Sequence, residues 1–467
     1  MNIALTCPQC GAEADFSEES SVFRCDFCGS TLKPTGLRDV QSFFLKPRIT
    51  QEQVVKVLMR TLCKKFGQRG LKVLFSQLFY VPYWRVKGMI FQWVFGRKYS
   101  GSLDMSWEDF KTLYSVTWEH TFAGFNDTEF PIHTLGVRTQ VLRIWPFNKE
   151  NIGSHALFLK QSVSLNQVID KAMNSLGSRI DSSSATIEMS KTELIGEKYS
   201  VVYSPFYALT VTDGKQEVLI VVDALSQKAM KSNLKISSLT DEAKTYQPLG
   251  FLPFKCPNCG HNFPFNTTAI VHLCHTCGRA WIEGAGRYHE LFYHVLSPDD
   301  SALKSAVFLP FWKLHVQISA LEKQYTSLKD FYSLFPLPRV MDEKELKEKV
   351  IYFFIPAFKI KDAKVVDKFA SWLTHTQPDF INPEGEGHNE FRSVDVWLSL
   401  HEAKEMAHVL LYSLTPKLNK RTKRIIKNAH LCFLDSLLIW LPFTEQGIYL
   451  RELHTDFGIQ KNAINLD

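Results

Sequence analysis

Eight of the ten cysteines fall in two quartets of identical spacing, C-x2-C-x14-C-x2-C. The first is Cys7, Cys10, Cys25 and Cys28; the second is Cys256, Cys259, Cys274 and Cys277. A glycine follows every pair, at Gly11, Gly29, Gly260 and Gly278. A C-x2-C-G turn aims two thiolates at one point, with glycine supplying left-handed backbone, and two such knuckles close a tetrahedron. Units of about 40 residues bury too little apolar surface to fold unaided, so metal binding must supply much of their stability. The pattern predicts two zinc ribbons and two Zn2+ ions, one per ribbon, with iron as the other metal such sites accept.

Four thiolates saturate the ion, whereas a catalytic zinc keeps a position open for water, so both sites read as structural. His272 and His275 stand beside the second quartet and read as exposed hairpin residues. Cys63 and Cys432 lie outside both quartets in apolar surroundings and read as buried thiols.

Metal-binding rather than disulfide use of cysteine fits a reducing compartment. No apolar stretch reaches the roughly 20 residues a bilayer span needs. Met1 to Thr6 runs straight into the first cysteine motif and leaves no room for a signal-peptide core. A cytoplasmic location is expected, with no transmembrane span; peripheral membrane association stays open.

At 467 residues the chain has room for two to four compact units. Its 35 Phe, 15 Tyr and 10 Trp favour strands over long helices. One phrase recurs: an apolar residue, proline, an aromatic, then alternation. It reads Tyr80-Val81-Pro82-Tyr83-Trp84-Arg85, Tyr203-Ser204-Pro205-Phe206-Tyr207 and Phe308-Leu309-Pro310-Phe311-Trp312, with weaker copies at Ile355-Pro356 and Leu441-Pro442-Phe443. Because proline lacks an amide to donate, each copy is expected to open a strand and its hairpin. Gly214 marks a tight turn before a returning strand, residues 217–224.

Helical periodicity precedes several copies. Val54, Leu58 and Leu62 share a face after Thr50, which forms a capping box with Gln53. Val168, Ala172 and Leu176 do the same after Leu165, and a further helix is expected from Asp342 to Val350, after Pro338-Arg339. The fold class is α+β, two zinc ribbons alternating with β-rich helix-hairpin modules, arranged as an internal duplication whose halves meet near residues 245–254. The expected segments are 1–36 (ribbon 1), 37–150 (helix plus β module), 151–250 (helix plus β-hairpin module), 251–290 (ribbon 2), 291–340 (β-hairpin module) and 341–467 (helix plus β modules).

The ribbons, the phrase Val81-Pro82-Tyr83-Trp84-Arg85, the phrase Leu135-Gly136-Val137-Arg138 with Gln140, and Tyr203 to Tyr207 with Val222-Asp223-Ala224 together carry a resemblance. The chain resembles a poorly characterised bacterial group of tandem zinc-ribbon proteins, some similar to ribbon proteins encoded beside phage-shock and band-seven membrane-stress proteins. The resemblance implies architecture and brings no activity.

Net charge is only +6, yet residues 53–103 contain no acid and ten bases. Among these, Lys56, Arg60, Lys64, Lys65, Arg69, Lys72 and Arg85 form the candidate nucleic-acid surface, with Trp84, Trp93 and Tyr99 interleaved for base stacking. A second basic run holds Lys417, Lys420, Arg421, Lys423, Arg424 and Lys427 in an acid-free window. The plain alternative for both is a solvated face. Glu13, Asp15, Glu18, Glu19 and Asp26 make ribbon 1 acidic and unsuited to phosphate.

Phosphate-loop, nucleophile-elbow and dinucleotide motifs are absent from the sequence. His289-Glu290 with His294 misses the H-E-x-x-H step. Gly284 to Arg287 reads as a turn in preference to an anion cradle, and Pro383 to His388 as a surface loop. These readings predict a protein that is not an enzyme: a zinc-binding scaffold or adaptor for unidentified protein partners, with nucleic-acid binding through residues 53–103 as the alternative.

Overall fold

A computed structural model describes residues 2–66, 72–99, 107–126, 130–136, 143–153, 156–176, 185–246, 248–296, 306–336, 342–378, 380, 391–416 and 419–466. Arg69, Val137, Arg138, Gln140, Pro338, Arg339, Lys417 and the segment from Pro383 to His388 lie outside the described residues, as do the side chains of Cys63, Lys64 and Lys65. The architecture is mixed α/β and mostly strand. Residues 1–88, 118–177 and 197–253 form one compact unit; 89–117, 178–196 and 254–467 form the other. Segments 37–150 and 151–250 therefore each contribute to both units. The reason is strand length, since three strands cross the division: residues 72–99 and 185–212, of 28 residues each, and 107–123, of 17.

In the first unit, β1 (Asn2–Thr6) pairs antiparallel with β2 (Glu13–Ser17), and the short β3 (Phe23–Arg24) pairs with β4 (Thr31–Thr35). Then come β5 (Gln41–Phe44), helix α1 (Gln51–Phe66), β6 (Lys72–Tyr99) and β7 (Trp107–Ala123). They are followed by β8 (Arg143–Pro146), α2 (Lys149–Ile152), β9 (Leu157–Leu159), α3 (Leu165–Ser175), β10 (Ala185–Thr212) and β11 (Glu217–Asp223). Short strands β12 (Ala229–Lys231), β13 (Leu239–Thr240) and β14 (Gly250–Pro253) complete the run. The main sheet has the order β13-β9-β6-β10-β5-β8-β1-β2, with β7 on β6 and β11 on β10, while β14 pairs with β4.

In the second unit, β15 (Val271–Leu273), β16 (Ala280–Gly284) and β17 (Arg287–Leu291) make a small meander. After them run β18 (Tyr293–Val295), β19 (Val307–Ala320), β20 (Lys323–Tyr325), α4 (Leu328–Leu334), α5 (Glu343–Glu348), β21 (Tyr352–Pro356), α6 (Ala363–Thr376), α7 (Leu400–Leu414), α8 (Lys420–Lys427), β22 (His430–Gln446), β23 (Tyr449–Glu452) and β24 (Gly458–Gln460). The sheet order is β20-β19-β22-β23-β24, with β21 on β19 and β18 on β22.

Local signals explain several elements. Thr50 caps α1 reciprocally with Gln53, the two bonds measuring 2.9 and 3.3 Å, and Val54 and Leu58 bury the apolar face against Tyr207, Leu209 and Val222. Gly214, at φ 89°, turns β10 into β11, with the Asp213 carboxylate accepting from the amides of Lys215 and Gln216.

The Pro-aromatic phrases do not open strands. Pro82, Pro205, Pro310 and Pro442 lie inside β6, β10, β19 and β22, and Pro356 ends β21. A proline loses only its donor; its carbonyl still accepts. Gly124 N–H donates to Pro82 O at 3.0 Å, Ala224 to Pro205 at 3.1 Å, Ala357 to Pro310 at 2.9 Å and Leu453 to Pro442 at 3.0 Å. Each donor directly follows a neighbouring strand, so the phrase marks where that strand leaves the ladder.

The match between units goes further. In the first, the Gly124 carbonyl accepts from Ser162 and Val163 at 2.9 and 3.1 Å, and Trp84 Nε1 donates to Val163 O at 2.9 Å. Ser164 follows as N-cap of α3, boxed with Gln167. In the second, the Ala357 carbonyl accepts from Trp397 and Leu398 at 2.6 and 3.0 Å, and Trp312 Nε1 donates to Leu398 O at 2.9 Å. Ser399 follows as N-cap of α7, boxed with Glu402.

Candidate metal centres

Both cysteine quartets converge. Within each, the four sulfurs lie within 4.8 Å of one another. Cys7 and Cys28 Sγ are 3.8 Å apart and Cys10 and Cys25 3.7 Å; in the second group Cys256 and Cys277 are 3.7 Å apart and Cys259 and Cys274 3.4 Å. A tetrahedron with metal–sulfur bonds of about 2.3 Å has edges of about 3.8 Å. These separations match the edges of a four-coordinate site, and each set can hold one metal.

One backbone motif, used four times, builds these sites. The Cys7 amide donates to Ala12 O and Gly11 donates back to Cys7 O, both at 2.9 Å; Cys25 with Ser30 and Gly29, Cys256 with His261 and Gly260, and Cys274 with Arg279 and Gly278 repeat it at 2.8–2.9 Å. The four glycines have φ of 75°, 70°, 76° and 69°. At Gly11 an added Cβ would meet nothing within 4 Å, so the left-handed backbone, not crowding, demands glycine.

The thiols show why a cation suits the sites. Burial pushes Cys7 up, but the amides of Gln9 and Cys10 with Ser30 and Cys25 outweigh it and draw the thiol down to about 6. Cys10 gains from the Ala12 amide, yet burial and its cysteine neighbours push it up to about 12. In the second group Cys256 rises to about 12, chiefly through burial. Cys277 falls to about 7, as the Arg279 amide and the Asn258 side chain overcome burial. Thiolates this close repel, and a divalent ion lets all four ionise together.

The histidines stand apart from both sulfur groups. His272 is buried, not exposed as expected, with its ring 4.8 Å from that of Phe254 and 5.4 Å from that of Phe263. His275 is exposed. Cys432 also departs from expectation, lying exposed on β22. His289 sits on a strand and bonds Gly284 O at 3.0 Å. Gly284 to Arg287 forms the β16–β17 turn, where Glu283 accepts from the Gly286 amide at 3.2 Å and occupies the donor an anion would use.

Ribbon 1 is anchored by a buried ion cluster that residue-type reading did not pair. Arg85 is 1% exposed; its guanidinium bonds both Glu18 oxygens, at 2.7 and 2.8 Å, and Glu119 at 2.6 Å. Burial raises Glu18, but the bonds and charge of Arg85, aided by Lys87 and Lys198, win and hold its carboxyl at about 2. The signal was alternation. Arg85 follows the core residues Val81 and Tyr83 on one strand face, and a cation placed there needs an acid.

This corrects the basic-stretch reading at Arg85, which is closed to phosphate. Lys87 bonds Glu19 at 3.0 Å, and Arg97 lies 3.2 Å from Asp109 and 3.3 Å from Glu188. Trp84 is buried and Trp93, only 7% exposed, donates to Val409 O. Lys56 and Arg60 are exposed on α1 and Lys72 at the start of β6. The stretch is thus partly an internal counterpart to acids and partly solvated.

Two rings stand out at the surface near these sites. Phe27, between ligands Cys25 and Cys28, is 72% exposed, and Phe292, between β17 and β18, is 80% exposed. Among the described residues no helix is long and apolar enough to cross a membrane. Comparison with protein-family models, with curated proteins and with solved structures returned no match.

Proposed function

We propose that the protein is a zinc-dependent, non-enzymatic scaffold, its two ribbons held by structural Zn2+ and ribbon 1 serving as a docking head for a partner protein. The observation that carries this reading is Phe27, an aromatic ring left 72% exposed on a knuckle already fixed by its two flanking metal ligands. A rigid apolar anchor of this kind loses little entropy on binding. Asp26 adjoins it and Glu13 is exposed on the same ribbon, so the partner surface is an apolar pocket with a basic rim. The same proposal takes the halves as diverged copies and the chain as similar to bacterial tandem-ribbon proteins; the shared Trp84 and Trp312 networks support the first point.

A photoreactive phenylalanine analogue at position 27 tests the docking role in cells. A discrete crosslinked protein, lost when Asp26→Lys and Glu13→Lys reverse the rim and when the metal ligand Cys10 is changed to Ser, is expected. No crosslink from a zinc-loaded chain would refute it.

A further inference from the structure

Helix α8 has two faces. Thr422, Lys423, Ile425 and Ile426 are buried, while Lys420, Arg421, Arg424 and Lys427 are exposed along the other side, a stripe of about 10 Å. Lys423 is satisfied internally by Glu188 at 2.9 Å. None of the four exposed cations has an ion-pair partner among the described residues, so their charge is directed to solvent. The other Glu188 oxygen lies 3.3 Å from Arg97, which also pairs with Asp109 at 3.2 Å. Glu188 and Asp109 are thereby matched by Lys423 and Arg97, and the four helix cations are left facing solvent.

Two residues beyond Arg97, on the same strand face, stands Tyr99. Its ring meets that of Trp107 at 5.8 Å and 71°, and the two are 48% and 56% exposed. An exposed aromatic pair is thus placed about 7 Å along the strand from the cluster that seats the helix. We infer that this surface, with Lys420, Arg421, Arg424 and Lys427 for phosphates and Tyr99 and Trp107 for bases, binds single-stranded nucleic acid. The chemistry is that of a cationic track beside stacking platforms. An acidic membrane fits less well, because the apolar side of α8 is spent on the protein core and offers nothing to insert. The inference stands apart from the docking role of ribbon 1 and uses none of its residues.

The test is fluorescence anisotropy of the full-length, zinc-loaded protein with a labelled single-stranded thymidine 20-mer, a duplex of equal length, and sedimentation with phosphatidylserine vesicles. We expect saturable binding of the single strand, with a log–log salt slope near −3 if all four cations meet phosphates. Arg421→Glu with Arg424→Glu and Lys427→Glu should weaken it at least about tenfold and flatten the slope. Trp107→Ala should weaken it by about tenfold with the slope kept. Circular dichroism and zinc content, unchanged in these surface variants, keep folding out of the comparison. Absence of binding at low salt, binding indifferent to the α8 reversal, or capture by vesicles without capture of the single strand would each overturn the inference.

Discussion

The indole N–H of Trp84 donates to the carbonyl of Val163 at 2.9 Å, one residue before the N-cap of α3. Trp312 does the same with Leu398 before α7. Each bond ties a Pro-aromatic strand to the start of a helix, one that leads to β10 in the first unit and, through α8, to β22 in the second. Replacing either tryptophan with phenylalanine removes the indole donor: the Leu398 carbonyl loses its Trp312 bond, while the Val163 carbonyl keeps a longer contact from the Gln161 side-chain amide at 3.4 Å. Denaturant titrations should show a loss of about 1–3 kcal/mol at Trp312, a smaller one at Trp84 and, since the sites share no partner, additivity.

Glu18 and Arg85 make ribbon 1 sensitive to acid. The Glu18 carboxyl falls from 4.5 to about 2 on folding, so its contribution is fully present above pH 4.5 and is lost as the pH drops towards 2. Glu18→Gln should cost about 3 kcal/mol at pH 7 and progressively less as the pH falls below 4.5. Midpoints measured from pH 7 to pH 4, with zinc content followed alongside, check the trend.

Asp367 works in the opposite sense. Burial raises its carboxyl from 3.8 to about 6, against the opposing pull of the Ser413 hydroxyl, which donates to it at 2.5 Å, and the charge of Lys111. The folded state therefore holds the proton more tightly, and stability from this group declines as the pH rises from about 4 to 6. Asp367→Asn should stabilise the protein at pH 7 by about 1–2 kcal/mol and leave it unchanged at pH 4.

Metal removal should act through folding. A chelator is expected to unfold both ribbons and to expose Phe23 and Val271, which are buried beside the second knuckles. Affinity should fall with decreasing pH, as protons compete for the thiolates. Tryptophan and tyrosine fluorescence with free-thiol titration follows both effects; a chelated chain with native near-ultraviolet dichroism would contradict it.

The parts legible in the sequence were those encoded locally. Cysteine spacing carries the knuckles, Thr50 with Gln53 carries the start of α1, and Gly214 carries a hairpin. The unread parts depend on partners far along the chain. Pro82 looked like a strand entry because the amide of Gly124, which completes its ladder, lies 42 residues away. Arg85 looked like a phosphate ligand because Glu18, 67 residues earlier, could be paired with it only in three dimensions. Cys432 looked buried from its apolar neighbours, yet period-two alternation in a strand puts those neighbours on the opposite face.

The most direct test of the account is the metal stoichiometry and ligand shell of the purified chain, by elemental analysis with zinc-edge X-ray absorption. Two ions per chain in all-sulfur shells at about 2.3 Å are predicted, matching the two four-cysteine groups. One ion or none, or a shell containing nitrogen or oxygen, would contradict it.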